Sequence, residues 1–236
     1  MPTKGSAESS STMHLVERQM LLRRVQEVGA PHPAALEPTA GYRFITITRN
    51  VGALGDAIAS ELSQHLQWHV FDKEIVNFIA QDNRVREDLV RELDERARSL
   101  IHDTVERFLL MVSGISFGSE EYRHALIRTL AYIAARGKAI IIGRGSACAL
   151  QGEPGFHVRV VASPDVRVGR LAERWRVTAE EARIRMQQID AERRSFIHQH
   201  FKHDLEELKY YHAVFNTDRL TPGQVAAAVM GMLTRR

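Results

Sequence analysis

A single cysteine, Cys148, stands in a chain of 236 residues. That scarcity excludes an internal disulfide framework and any cysteine-based zinc site within one chain. Histidines number eleven, yet no His-Glu-x-x-His spacing occurs, and His198 and His200 read as solvated surface side chains. No apolar run reaches the roughly 18 residues that a membrane span needs. Residues 1–12 are polar and small with no apolar stretch behind them, so no signal peptide is read there and a cytoplasmic location is expected. Aromatic stacking platforms are few, two Trp and five Tyr, and the basic residues are interleaved with acidic ones. Both points argue against a nucleic-acid-binding module. The formal charge of +3 does not by itself choose between nucleic acid and anionic small molecules.

What is present belongs to an ordinary globular protein: 44% hydrophobic and 26% charged residues, enough for one good-sized core. Residues 1–40 read as an N-terminal extension. Its first 12 residues are expected to be disordered. Leu15, Val16, Met20, Leu21, Leu22 and Val25 then form one stripe of a helix from Met13 to Val25, and Pro31, Pro33 and Pro38 make a semi-rigid linker. That helix either packs on the chain's own core or makes a homodimer contact.

From residue 41 to 236 strands alternate with helices. The strands predicted are Phe44–Thr48, Trp68–Asp72, Lys138–Ile142, His157–Val161 and Tyr211–Phe215. Helices are predicted at Gly55–His65, Lys73–Ala80, Val85–Phe108, Glu120–Ala135, Pro164–Trp175 and Thr178–Lys202, with a last one capped by Thr221 and begun by Pro222. The apolar run of Lys138–Ile142 marks a strand buried on both faces. This order calls for an α/β fold with a mostly parallel sheet. Ligands in such sheets bind beyond the C-terminal strand ends. Three of those ends carry polar residues: Thr48-Arg49-Asn50 with Gly52 and Gly55, Asp72-Lys73, and Gly143-Arg144-Gly145.

The first of these ends, a buried strand followed by a glycine turn and a helix start, is the order that cradles phosphate on backbone N–H groups. A complete P-loop, G-x-x-x-x-G-K-[ST], adds a lysine for the β- and γ-phosphates and a hydroxyl for Mg²⁺. Gly55 and Asp56 stand in their places. Each polar strand end also has a plain structural reading: a tight turn, a helix cap at Asp72, a surface ion pair at Arg144. After the fourth strand, Arg167 and Arg170 lie three apart on one helix side, a spacing that lets both fork onto phosphate oxygens. An arginine-rich helical hairpin before the last strand is where a closing lid would lie.

Taken in order, Ile45-Thr-Ile-Thr48, Gly52 to Gly55, Trp68-His-Val-Phe-Asp72-Lys-Glu-Ile75, Ile140-Ile-Ile-Gly-Arg-Gly145, the Arg167/Arg170 helix, Asp190-Ala-Glu-Arg193 and Asn216-Thr-Asp218 resemble the cytidylate kinase-like family, a branch of the nucleoside monophosphate kinases. The resemblance runs from about Tyr42 to Met232. It implies a three-layer P-loop-type fold with a helical acceptor-binding insert and an arginine-rich lid. It also implies transfer of the ATP γ-phosphoryl group to a (deoxy)cytidine monophosphate-type acceptor, with ATP and Mg²⁺ as cofactors and unassigned metal ligands. By the same resemblance Gly52, Ala53, Gly55 and Asp56 form the donor phosphate loop, Asp72 is an acceptor-site carboxylate, and Arg144 holds the acceptor phosphate. Arg167 and Arg170 are lid arginines near the donor, Arg193 lies near the transferred group, Asn216 and Thr217 border the donor base, and Arg49, Arg170 and Arg193 are the expected catalytic residues. The family often shows Ser-Arg-x-x-Gly-Ser-Gly-Gly at the first loop. Here Thr48, Ala53 and Leu54 depart from it while Arg49 is kept, so Arg49 is expected to take the electrostatic role of the missing lysine. The alternative is a nucleotide-binding or regulatory relative whose degenerate loop leaves little or no turnover.

Overall fold

A computed structural model describes residues 20–23, 41–82, 86–87, 95–111 and 120–234. The chain divides into two compact units, Met1–Ala34 and Ala35–Arg236. Of the first unit only the helical turn at residues 20–23 is described. The expected disordered start and proline linker, and most of the expected first helix, lie outside the described residues.

The second unit carries five strands: β1 (Phe44–Arg49), β2 (His69–Phe71), β3 (Ala139–Ile142), β4 (Gly155–Val161) and β5 (Ala213–Asn216). They form one sheet in the order β2-β3-β1-β4-β5, and every pairing in it is parallel. Its helices are α1 (Gly55–Leu66), α2 (Lys73–Gln81), α3 (Glu95–Met111), α4 (Glu120–Arg136), α5 (Ser146–Ala149), α6 (Pro164–Trp175), α7 (Ala179–Phe201) and α8 (Pro222–Thr234). Alternation along β1 and β4 sends Ile45, Ile47, Phe156, Val158 and Val160 to one face. There they pack with Ile58 and Leu62 of α1 and Val225 and Val229 of α8. Leu126, Ile127, Leu130 and Ile133 of α4 are fully buried in the layer on the other face. The chain is a three-layer α/β protein. Because β1 is central, with β3 on one side and β4 on the other, the strand order reverses at its C-terminal end, which is where a crevice opens.

Two strand starts differ from the sequence expectation by two residues, and the other strand boundaries by one or none. β4 starts at Gly155, two residues before His157, because Gly155 sits opposite Phe44 in register. A β-carbon at Gly155 would lie 2.1 Å from the Phe44 ring, so the strand needs a glycine there, a residue that usually reads as a break. β5 begins at Ala213, after a 3₁₀ turn at Leu208–Tyr210; Tyr211 points its hydroxyl to the Leu205 carbonyl (3.0 Å). The long charged helix runs on to Met111, and residues 85 and 88–94 of its expected span are outside the described set.

On the α4 side of β4, His157 is buried, with Nδ1 2.8 Å from Thr46 Oγ1. Its backbone N–H donates to His212 Nδ1 (3.0 Å). Burial, and then the neighbouring His212, push its pKa down to about 4. An unfolded chain takes up that proton near pH 6.5, so this group costs no stability above that pH and destabilises the fold progressively between 6.5 and 4. The expected loss is about 3 kcal/mol from His157 alone, and burial of His212 acts in the same direction. Urea unfolding across this window should show the fall in wild type and a smaller fall in His157→Gln, which cannot protonate. Equal slopes in both proteins would exclude this origin.

Candidate functional site

The loop between β1 and α1 is built on two left-handed residues, Gly52 (φ +79°) and Leu54 (φ +63°). Glycine suits the first. Leucine at the second carries a conformational cost of roughly 1–2 kcal/mol, and it leaves α1 with no side-chain cap. The first-turn N–H groups of a helix have no partner within the helix. Here Gly55, Asp56 and Ala57 line a cavity of about 330 Å³ together with Gly52, Arg170, Arg174 and Arg193. A second cavity, of about 410 Å³, is lined by Thr48, Lys73, Gly143, Arg144, Gly145, Glu192, Phe196 and Leu205 among others. Arg49, Val51 and Arg193 line both cavities.

Arg49 leaves the end of β1 and threads between two glycines. A β-carbon on Gly55 would lie 2.8 Å from its Cγ, and one on Gly143 would lie 2.6 Å from its Nη1. Its guanidinium reaches the exposed Asp56 carboxylate at 3.3 Å, and its Nε is buried without a hydrogen-bond partner. Arg193 donates to the Arg49 carbonyl (3.3 Å) and lies 3.9 Å from Asp190. Burial pushes the Arg193 pKa down to about 10, and the positive charges of Arg49 and Arg144 add to that. Cations that repel one another at the edge of an open cavity are the electrostatics of an anion site. Arg144 follows β3 in a left-handed conformation (φ +52°) and rests over the Phe196 ring, 4.7 Å from its centroid.

The other expected site residues divide. Asp72 caps α2, accepting from the Ile75 N–H (3.0 Å), and lines neither cavity; its neighbour Lys73 lines the larger one. Ala53 is buried. Arg167 is also buried, held by the Asp190 carboxylate and donating to the Val51 carbonyl (3.3 Å). Arg170 donates to the Gly52 carbonyl (3.3 Å) and to the Thr217 carbonyl (2.6 Å). Thr217 is fully buried, and the exposed Asn216 accepts from the Asp218 N–H (2.9 Å). His198 is exposed, whereas His200 is half-buried, 4.5 Å from the Phe196 ring and 5.7 Å from Tyr122.

Sequence reasoning assigned no role to Asp190, Lys73, Glu192, Phe196 or Arg174. A signal for α7 was present: Ile189, Arg193, Phe196 and Ile197 recur at steps of four, three and one, which puts them on one helix face. The loop presents no hydroxyl to a divalent cation, and its one carboxylate, Asp56, is paired with Arg49. Among the described residues no three His, Cys, Asp or Glu side chains come together as metal ligands. The site therefore does not fit a protein-held Mg²⁺, and the positive charges lining the two cavities are arginines and Lys73.

The family model described as the cytidylate kinase-like family matches residues 44–219. A crystal structure of an uncharacterized protein from Eubacterium ventriosum is similar in fold, with a TM-score of 0.62 at 15% identity, covering 80% of this chain and 97% of that one. Weaker likenesses are a shikimate kinase from Acinetobacter baumannii (TM-score 0.42, 11% identity, 82% and 94% covered) and TT1252 from Thermus thermophilus (TM-score 0.42, 20% identity, 82% and 99% covered). No curated protein sequence matches the chain. Among the described residues no helix is long and apolar enough to cross a membrane.

Proposed function

The chain belongs to the cytidylate kinase-like family, and from that premise we propose that it transfers the γ-phosphoryl group of ATP to a nucleoside monophosphate of the (deoxy)cytidine type. The observation that carries this reading is the meeting of two cavities at Arg49 and Arg193. A phosphoryl group moving in line between a donor and an acceptor needs two sites with positive charge fixed where they join. In this reading the donor phosphates lie on the N–H groups of Gly52 and of residues 54–57, and Arg144 and Lys73 meet the acceptor phosphate. An acceptor phosphate oxygen attacks the γ-phosphorus, the bond to the β–γ bridging oxygen breaks, and ADP leaves. The attacking oxygen is already anionic, so no side chain is required as a base. Arg49 and Arg193 neutralise the equatorial oxygens, the part a P-loop lysine ordinarily takes.

The Arg49–Asp56 ion pair favours a second reading, a nucleotide-binding relative with little turnover, because Arg49 must leave or share that carboxylate to serve a phosphate. Calorimetry with ATP-Mg²⁺ and with CMP, then a coupled ADP-release assay on CMP, UMP, AMP and GMP, separates the two. Binding with turnover on a cytidine acceptor is the expected result. Binding without turnover selects the regulatory reading, and binding of neither ligand overturns both.

A further inference from the structure

Three successive carbonyls of the β1–α1 loop are each gripped by a side chain from elsewhere in the fold. Arg167 donates to Val51 O at 3.3 Å, Arg170 to Gly52 O at 3.3 Å, and the Thr217 hydroxyl reaches Ala53 O at 3.2 Å. On the same stretch, the Val51 N–H donates to Asp190 Oδ1 at 3.0 Å. The gripping groups are themselves tied together. Asp190 holds Arg167, and Arg170 donates to both the hydroxyl (3.2 Å) and the carbonyl (2.6 Å) of Thr217. Thr217 is in turn fastened to the sheet through its N–H on Val161 O (2.9 Å). Thr217, Arg167 and Asp190 are all buried, at 0%, 8% and 6% exposure, so they are no solvated charge run.

A peptide unit is planar and trans, so its C=O and N–H point to opposite sides. Holding the carbonyl of Val51 through Arg167 and that of Ala53 through Thr217 turns the N–H groups of Gly52 and Leu54 to the opposite side of their own peptide planes. The N–H between them, on Ala53, is used within the loop on Asn50 O (3.3 Å). We infer that Arg167, Arg170, Thr217 and Asp190 are positioning residues that set the peptide orientations of the phosphate loop before any ligand arrives. The inference rests on the proposed kinase reading for its purpose, the binding of a polyphosphate donor, but the grip itself is independent of it. It reassigns Arg167 and Arg170 from touching phosphate to holding the loop that touches phosphate. One turn beyond Arg170 on the same helix, Arg174 is exposed and lines the donor-side cavity beside Arg170.

The grip also supplies what this loop's sequence lacks. Leu54 sits in a left-handed conformation that a glycine would adopt freely, and no side chain caps α1. External contacts therefore have to hold a loop that its own residues do not favour.

Hydrogen–deuterium exchange of the ligand-free full chain tests this directly. In Thr217→Val and Arg170→Ala the amides of residues 52–57 should exchange at least about tenfold faster than in wild type, with the amides of β3 and mid-α1 unchanged. Thr217→Ser, which keeps the hydroxyl, should restore wild-type exchange. Arg174→Ala should leave loop exchange at the wild-type rate. Calorimetry then adds a split that general destabilisation would not produce: affinity for inorganic tripolyphosphate falls about tenfold in Thr217→Val, while affinity for CMP is unchanged. Loop exchange at the wild-type rate in both Thr217→Val and Arg170→Ala overturns the inference. So does equal loss of tripolyphosphate and CMP binding. If wild type binds neither ATP nor CMP, the kinase reading fails while the exchange comparison still decides the grip.

Discussion

Arg193→Ala is expected to lower kcat by about 10²- to 10³-fold, the loss seen when one fixed group that stabilises transition-state charge is removed. Arg193 lines both cavities, and its guanidinium is held in place by the Arg49 carbonyl and by Asp190. A loss of that size is about 3–4 kcal/mol, several times what an exposed ion pair contributes to stability. The fold should survive, because Arg193 is only partly buried and its loss leaves Asp190 still paired with Arg167. Arg193→Lys keeps the charge without the planar fork and should recover only part of the rate. Arg49→Ala is the less clean companion. Its side chain fills the space between Gly55 and Gly143, so its removal changes packing as well as charge. Steady-state kinetics with a thermal unfolding control gives the answer. An Arg193→Ala enzyme within threefold of wild type would take Arg193 out of the reaction.

The architecture was largely legible because burial periodicity is local. A continuous apolar run such as Ala139–Ile142 announces a strand buried on both faces, and Thr178 with Glu181 announces a helix start that the structure realises as a complete capping box. The polar strand ends were legible as a group, since parallel strands put all their C-terminal ends on one edge. Which of the α6 arginines hold the loop carbonyls was not legible. Arg167, Arg170 and Arg174 share one helix, and spacing alone gives them similar claims on a phosphate. The difference lies in partners 23 to 118 residues away: Asp190, Thr217, Val51 and Gly52. Asp190 escaped for the same reason. Its role is defined by an N–H on another element, and nothing at its own position in α7 announces that.

The turn that follows β3 is where the second large effect is expected. Gly143, Arg144 and Gly145 all have positive φ, at 76°, 52° and 71°. Arg144 carries the cost of a left-handed side-chain residue, and in exchange its guanidinium is set over Phe196 at the cavity wall. Gly145 permits something different, the seating of the last residue of α7. A β-carbon there would lie 2.2 Å from the Phe201 ring, and Phe201 is 1% exposed. In Gly145→Ala the unfavourable backbone conformation, roughly 1–2 kcal/mol, adds to the strain of overpacking, roughly 1–3 kcal/mol. A destabilisation of about 2–5 kcal/mol follows, which for a unit of this size lowers Tm by about 10 °C. Because Arg193 sits two turns before Phe201 on the same helix, pushing the ring aside also moves the arginine, so kcat should fall along with stability. Phe201→Ala alone should cost about 3–5 kcal/mol through the cavity it leaves. In the double variant the new methyl has room, so the two losses should sum to more than the combined loss by at least about 1 kcal/mol. Chemical denaturation of the four proteins closes that cycle. Strict additivity, or a Gly145→Ala protein as stable as wild type, would mean that α7 ends against the β3 turn without being held by it.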